Sequence, residues 1–395
     1  MVEYKLKNIG ILEIHYHVKF LNTMIRICKT KETNVTIFTT QEIYNRLKIN
    51  LVDTSKYTFI IKEEKESKNR FFRRVEKICN EKIDILFINT IQTTLLDIFY
   101  YIRFKPKSKM ILTIHMTNHW LKAKYAFNKK KILRSIDVNI CLFLIKTIIL
   151  PKFNAINVIY KPTKKYIQNN LRYDKEIFTL PFNFYDEAKK TRQTTKDNKI
   201  RIVISGKIEE FRRDYNIALD TFEKLSKKYP DDIVLYLLGK PVGKYGNEII
   251  NRCKKLQKKG CNIIYPTDFV SEEEYNKTLK QSDILFSPLK IKKIIETGIE
   301  ETYGTSEGSA IPFEAIQNQK PLIIPKDFQI IKEIKTQTLQ YKTQKDLEKI
   351  LTDLLKNKEK LEKLKLESIK NSKYFTLENL QKYFKDEILD KIEKL

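Results

Sequence analysis

Residues 301–325 read ETYGTSEGSAIPFEAIQNQKPLIIP. Gly304 and Gly308 punctuate a loop, and Ser309 suits a helix N-cap. Pro312 falls in the first turn of a helix predicted over 310–317, where its missing N–H costs nothing. The helix stops near 318–320, and an apolar strand follows at 322–324. On either side of this unit the chain alternates short apolar runs with amphipathic segments. Strands are predicted at 9–14, 34–39, 83–89, 109–114, 138–142 and 155–159, and again at 201–205, 233–238, 262–265, 283–287 and 321–325. Helical patterns such as 216–228 and 272–281 lie between most of them, which implies parallel strands with helical crossovers. The stretch 186–198, DEAKKTRQTTKDN, holds almost no large apolar side chain and divides the two series. The expected architecture is α/β, with two doubly wound, Rossmann-like domains and a cleft between them.

A chain of 395 residues with 42% hydrophobic and 11% aromatic content can build two cores, and domain-scale disorder is excluded. The predicted domains are 1–187, 188–376, and a charged helical tail, 377–395, returning to the first. Five cysteines without metal-ligand spacing read as reduced thiols. The longest apolar run, around 139–150, contains Lys146 and is too short to span a bilayer. MVEYKLKNIGILEI at the start reads as a first strand rather than a signal sequence, so a cytoplasmic protein is expected. The formal net charge is +27, and residues 1–190 carry 36 Lys and Arg against 17 Asp and Glu. Residues 101–170 are the extreme, with 15 basic side chains and one acid, Asp137. Such a field attracts phosphate on lipid, nucleic acid or an anionic substrate.

Three features carry candidate chemistry. A helix amino end behind a Gly-rich loop, at Gly308–Ser309, offers backbone N–H groups and partial positive charge to a diphosphate. Glu314 in that helix can accept hydrogen bonds from a ribose diol. In 202–219, IVISGKIEEFRRDYNIAL, a strand ends at Ser205–Gly206, the cations Lys207, Arg212 and Arg213 follow, and a helix begins near Asp214. Lys207 and Arg213 can clamp a pyrophosphate and stabilise it as it departs with added charge. Third, the segments 120–136 and 70–77 set cations around aromatic and aliphatic residues, as helices on an anionic membrane do. His15 and His17 follow the first strand, while His115 and His119 follow the strand at 110–114. A zinc site would need an acidic or cysteine ligand at suitable spacing, which this sequence does not offer. No Asp-x-Asp ends a strand as a metal–nucleotide ligand would, since Asp231 and Asp232 open one.

These stretches, in this order, resemble the donor domain of the family-4-like GT-B glycosyltransferases. In that family a Gly-Arg/Lys pair and a later Lys or Arg bind the donor diphosphate, and Gly206, Lys207 and Arg213 match those places. The paired-glutamate motif ends in Glu-Ala before a Gly-Lys-Pro and a strand, matched here by Glu314-Ala315 and Lys320-Pro321-Leu322-Ile323-Ile324. Residues 235–240 (LYLLGK) and 271–289 (SEEEYNKTLKQSDILFSPL) also resemble the family's pattern. The likeness covers most of the second half well and the first half weakly.

The resemblance implies a GT-B fold, a UDP- or GDP-linked sugar donor, no metal or other cofactor, and transfer with retention to a surface-glycan or lipid-linked acceptor. It assigns Glu314 to the ribose and His115 to the neighbourhood of the donor sugar and reacting bond. Two departures stand out. Ser306 lies where the first glutamate belongs, leaving Glu307 and Glu301 as candidates to meet the sugar. Gln319 replaces the Gly before Lys-Pro. Peripheral attachment at the inner face of a membrane is expected from the basic first half. Nucleic acid is not an expected partner, because no aromatic-and-basic recognition module is present.

Overall fold

The computed structural model describes residues 6–49, 53–128, 132–187, 197 and 199–395. The chain divides into two compact units. One comprises Met1–Phe184, Ile294–Gly308 and Leu377–Leu395, and the other Tyr185–Lys293 and Ser309–Thr376. Most of the stretch 186–198, read as the linker, lies outside the described residues.

The main sheet of the first unit has seven strands: β1 (Asn8–Glu13), β2 (Asn34–Thr40), β3 (Thr58–Lys62), β4 (Ile85–Ile88), β5 (Lys109–Thr113), β6 (Ala155–Val158) and β7 (Glu176–Thr179). They pair in the order β3-β2-β1-β4-β5-β6-β7, all parallel. Parallel strands covered on both faces favour apolar residues at successive positions, as in ILFI of β4; AINV of β6 is also buried throughout, its Asn157 satisfied by Thr113 Oγ1 and Leu180 N. Helices Lys68–Lys82, Leu95–Arg103 and Ile132–Leu144 share one core, with Phe71, Phe72, Ile98, Tyr101 and Cys141 packed against Leu86, Leu112 and Ile156. Ser67 and Thr94 cap the first two through the backbone N–H groups of Arg70 and Asp97. The chain leaves β1 for one side of the sheet and returns to β4 on the other. The crevice outside the carboxyl ends of β1 and β4 is therefore the place where such sheets bind ligands.

The strand expected at 138–142 is instead part of helix Ile132–Leu144. Its run VNICL is apolar except at Asn139 because that helix carries apolar residues on two faces, and periodicity over so few residues cannot separate helix from strand. Strands β3 and β7, at the two edges of the sheet, went unpredicted.

The second unit repeats the plan with β8 (Ile200–Ser205), β9 (Ile233–Leu238), β10 (Ile263–Ile264), β11 (Ile284–Phe286), β12 (Leu322–Pro325) and β13 (Thr338–Tyr341). They form a parallel sheet ordered β10-β9-β8-β11-β12-β13. Its core gathers Tyr215, Leu219 and Phe222 from helix Tyr215–Lys228 onto Ile202, Ile204, Leu235 and Leu237. Here the switch in strand order falls between β8 and β11.

Two segments bear on the expected boundaries. Leu377–Leu395 belongs to the first unit, where Gln381 Nε2 donates to the carbonyls of Arg26 (3.0 Å) and Lys29 (2.6 Å) at the end of helix Val18–Cys28. Ile294–Gly308, expected within 188–376, also belongs to the first unit. The unit boundary thus falls between Gly308 and Ser309, inside the motif read as one loop and helix. Among the described residues no helix is long and apolar enough to cross a membrane.

Candidate functional site

In the second unit β8 runs out at Ser205, and the ladder continues through Gly206 N to the Leu238 carbonyl (2.9 Å) and Ile208 N to the Lys240 carbonyl (3.0 Å). Gly206 has φ +91°, which favours glycine, and a Cβ there would sit 2.8 Å from Arg213 Nη2. The guanidinium of Arg213 therefore lies flat against the Gly206 backbone. A Cβ on Gly239, at the end of β9, would come within 2.1 Å of the Gly206 carbonyl oxygen, so both positions exclude a side chain. Arg213 is fixed from behind. Its backbone bridges Leu289 beyond β11, Asp214 N donates to the Pro288 carbonyl (2.7 Å), and the Asp214 carboxylate caps helix Tyr215–Lys228.

Arg213 is 7% exposed, its Nε has no hydrogen-bond partner, and no carboxylate pairs with it among the described residues. A buried donor left unpaired costs about 1–3 kcal/mol. Arg212 is different: its Nε lies 2.9 Å from Glu209 Oε1. Lys207 is exposed, and its ammonium has no ion-pair partner among the described residues. The second unit therefore holds two uncompensated cations at the switch point of its sheet.

Glu314 lies in the seven-residue helix Ile311–Gln317 and accepts hydrogen bonds from the Ser205 hydroxyl and the Tyr275 phenol. Burial and then the Glu314 charge push the Tyr275 phenol well above the usual tyrosine range, while Arg213 pulls the other way. Ser205, Tyr275, Glu314, Gly206 and Arg213 thus form one neighbourhood. A carboxylate has about four acceptor positions, and the two contacts from Ser205 and Tyr275 do not use them up. Ser309 does not take the expected cap: Ala310 occupies that position, and the Ser309 hydroxyl accepts from Ile311 N at 3.3 Å. No hydrogen bond joins Ser309 to Lys207 or Arg213 among the described residues. Gln319, standing for the family's glycine, has φ +53°, the left-handed conformation that ends this helix.

In the first unit, residues following β1, β4 and β5 meet at the carboxyl ends of those strands. Glu13 is fully buried and accepts from Thr90 Oγ1 (2.6 Å) and His15 N (2.7 Å), and burial raises its carboxyl. His15 Nε2 lies 2.9 Å from Asp97 Oδ2, off the line of an ideal hydrogen bond, and the other oxygen of Asp97 pairs with Lys68. Burial works to raise the Asp97 carboxyl, but His15 and Lys68 outweigh it and hold the group below the usual range.

The His17 ring stacks on His115 with centroids 4.2 Å apart. His115 Nε2 is 3.2 Å from the Asn89 carbonyl, so it carries the hydrogen and Nδ1 holds the lone pair. Burial pushes His115 down to about 4, against that bond. His119 is buried between Thr93 Oγ1 (2.9 Å) and Thr297 Oγ1 (3.5 Å), and burial, then Arg134 and Lys146, push it to about 4.

The candidate glutamates lie in the same unit. Glu301 is fully buried; it accepts from His119 N (2.8 Å) and Ser306 Oγ (2.5 Å), and burial pushes it up to about 7. Glu307 is half-buried and its backbone bridges Met116. A Cβ on Gly308 would meet Ile159 Cγ1 at 2.5 Å, so this glycine is required by packing.

No protein-family model matches the chain, and no curated protein matches it by sequence. Solved structures do match over nearly its whole length. A glycosyltransferase from Rickettsia africae superposes with a TM-score of 0.65 at 13% identity, covering 99% of this chain and 100% of that one. HepE from Anabaena, solved with UDP and glucose, gives 0.64 at 10%, covering 98% and 100%. The chain has the GT-B fold. An α,α-trehalose 6-phosphate synthase from Burkholderia multivorans also matches, with a TM-score of 0.56 at 10% identity over 98% and 99%.

Within that fold the structure brings together Gly206, Arg213 and Glu314, with Lys207 adjoining in sequence. It puts His115, Glu301, Glu307 and Gly308 in the other unit. Sequence reasoning missed Tyr275 and Ser205 as partners of Glu314, and Asp97 as the partner of His15. Ser205 was readable as a strand end; the other two depend on pairings remote in the chain.

Proposed function

We propose that the chain is a glycosyltransferase that takes a sugar from a UDP- or GDP-linked donor. The observation that carries this reading is Arg213, a buried cation with an unpaired Nε at the switch point of the second sheet, adjoining Lys207. Two uncompensated cations there match a diphosphate, whose charge grows as the glycosidic oxygen–carbon bond breaks. Glu314, oriented by Ser205 and Tyr275, takes the ribose hydroxyls, and Gly308–Ser309 contribute backbone donors. The new bond forms from the acceptor oxygen to the anomeric carbon, with retention and without a metal ion, and the acceptor's proton leaves on the released diphosphate. The acceptor is a surface glycan or a lipid-linked saccharide.

Of the candidate acids, Glu307 is the better choice to meet the sugar, since both Glu301 oxygens serve internal donors. His115, with its Nε2–H given to Asn89, acts through Nδ1 as an acceptor from a substrate hydroxyl. Titration calorimetry with uridine and guanosine diphosphates, followed by a donor-hydrolysis assay over a panel of nucleotide sugars, tests the reading. Micromolar binding of one diphosphate and slow release of its sugar are expected; failure to bind either would overturn it. A non-catalytic partner subunit is the second reading, favoured by Ser306 at the first-glutamate position, and binding without hydrolysis or transfer would select it.

A further inference from the structure

Two helices of the first unit bury one face and present a second apolar face outward. Helix Ile132–Leu144 buries Ser135, Val138, Cys141 and Leu142. On its other side Ile132, Leu133, Ile136, Ile140 and Phe143 are exposed, Leu133 by 83%. At 3.6 residues per turn these five fall within an arc of about 100°. Helix Leu95–Arg103 does the same: it buries Asp97, Ile98 and Tyr101 and exposes Leu95, Leu96 and Phe99. Both pack through the same core on one side of the seven-stranded sheet, and Arg134 Nη2 donates to the Thr93 carbonyl (2.9 Å), joining their amino ends. Exposed Tyr125 and Phe127 precede the first of them. Isolated exposed apolar side chains are ordinary, but a stripe continued over two neighbouring helices marks an interaction surface.

The charge around the stripe selects the partner. The Arg103 guanidinium lies 4.0 Å over the Phe99 ring, and Lys105, Lys107, Lys122 and Lys124 are exposed in the adjoining segments. The neighbouring helix Lys68–Lys82 adds exposed Arg70, Arg73 and Lys77. The two acids of the stripe helices are spent, Asp137 on Arg134 and Asp97 in the buried contact with Lys68. A second copy of this surface would bring like charges together. A ridge of aliphatic and aromatic side chains rimmed by cations instead matches acyl chains below a layer of anionic headgroups.

We propose that this helical layer docks in the plane of an anionic phospholipid bilayer, with Leu133, Ile136, Ile140 and Leu96 at the acyl boundary and the cations at the headgroups. The inference stands on the first unit alone and does not depend on the donor reading. It also moves the contact from the segment the sequence indicated: Trp120 is buried, Lys129, Lys130 and Lys131 lie outside the described residues, and the apolar stripe extends to Phe143.

Flotation of the full chain with phosphatidylglycerol–phosphatidylcholine vesicles tests it, with pure phosphatidylcholine for comparison. The chain is expected to float with the anionic vesicles only, less so at raised salt. Leu133→Asp and Ile136→Asp, at exposed positions that leave the core intact, should each lower partitioning by about tenfold or more, the worth of one buried aliphatic side chain. Both variants should keep the wild-type melting temperature and diphosphate affinity. The proposal is overturned if the wild-type chain stays unbound with both vesicle types, or if the variants float as it does. It is equally overturned if light scattering shows a dimer that the substitutions dissolve, which would make the stripe a protein interface.

Discussion

Replacing Arg213 by methionine should make the ligand-free protein more stable while removing its affinity for the donor. The methionine keeps much of the apolar stem but deletes a buried Nε–H that has no partner. An unsatisfied buried donor costs about 1–3 kcal/mol; after allowing for imperfect packing, a gain of roughly 1 kcal/mol is expected. In a unit of this size that raises the melting temperature by about 2–4 °C. The same change removes a planar fork that can give two charge-assisted bonds to phosphate, each worth about 1.5–3 kcal/mol. Diphosphate affinity should then fall by roughly 100-fold or more. Thermal melts with and without saturating uridine or guanosine diphosphate read both effects. The wild-type protein should melt lower alone and rise with ligand, and the variant should melt higher alone and not respond. Arg213→Lys, which keeps the charge but not the fork, should fall between the two. A variant that melts below wild type without ligand, yet is stabilised by nucleotide to the same extent, would refute the reasoning, because Arg213 would then be a satisfied structural residue.

Gly206→Ala should approach the same loss of diphosphate affinity by calorimetry, since its Cβ would meet the Arg213 guanidinium at 2.8 Å; unlike Arg213→Met, it should lower the melting temperature through strain at φ +91°. Gln319→Gly should stabilise the second unit by about 0.5–1 kcal/mol in urea denaturation, because φ +53° strains a side chain, less what the Gln319 bond to Ser372 returns. Glu301 binds a proton in the folded chain up to about pH 7 that the unfolded chain loses near 4.5, so its contribution is present at low pH and lost as pH rises between those values. His115 and His119, pushed from 6.5 to about 4, bind fewer protons folded than unfolded and act in the opposite sense over nearly the same range. Glu301→Gln removes the first contribution only. Relative to wild type, the variant's stability should therefore gain on the order of a few kcal/mol between pH 4.5 and 7, and parallel pH profiles would contradict the assignment.

Most of the fold was legible because parallel strands covered on both faces favour apolar residues at successive positions, and such runs survive in the sequence wherever a strand is central. The failures have one cause. An edge strand such as β3 offers only the three-residue run Phe59–Ile61, and β7 only Ile177–Phe178 before Thr179, while helix Ile132–Leu144 carries a longer apolar stretch because it has two apolar faces. The misread strand at 138–142 and the proposed membrane surface are thus the same physical fact: this helix is apolar where a soluble crossover helix would be polar. Local sequence also concealed the unit boundary at Gly308, which is set by contacts to Thr117, His119 and Ile159 far away in the chain.

The candidate site divides along the same line. Lys207, Arg213 and Glu314 were readable because each sits at a fixed offset from a strand end or helix start. Their environment was not: Ser205 reaches Glu314 across 109 residues and Tyr275 across 39, and both contacts depend on how helices Glu272–Gln281 and Ile311–Gln317 pack in the folded unit. The pair Arg212–Arg213 shows how little separates decoration from function. Both follow the same strand, but Arg212 closes the turn at 210–212 while Arg213 enters a backbone bridge with Leu289. Arg212 finds Glu209 near the surface, while Arg213, whose backbone pairs with Leu289, is turned under Gly206 into a place without a counter-charge. Composition counts two arginines there; the offset of one residue decides which of them keeps its charge available for a ligand.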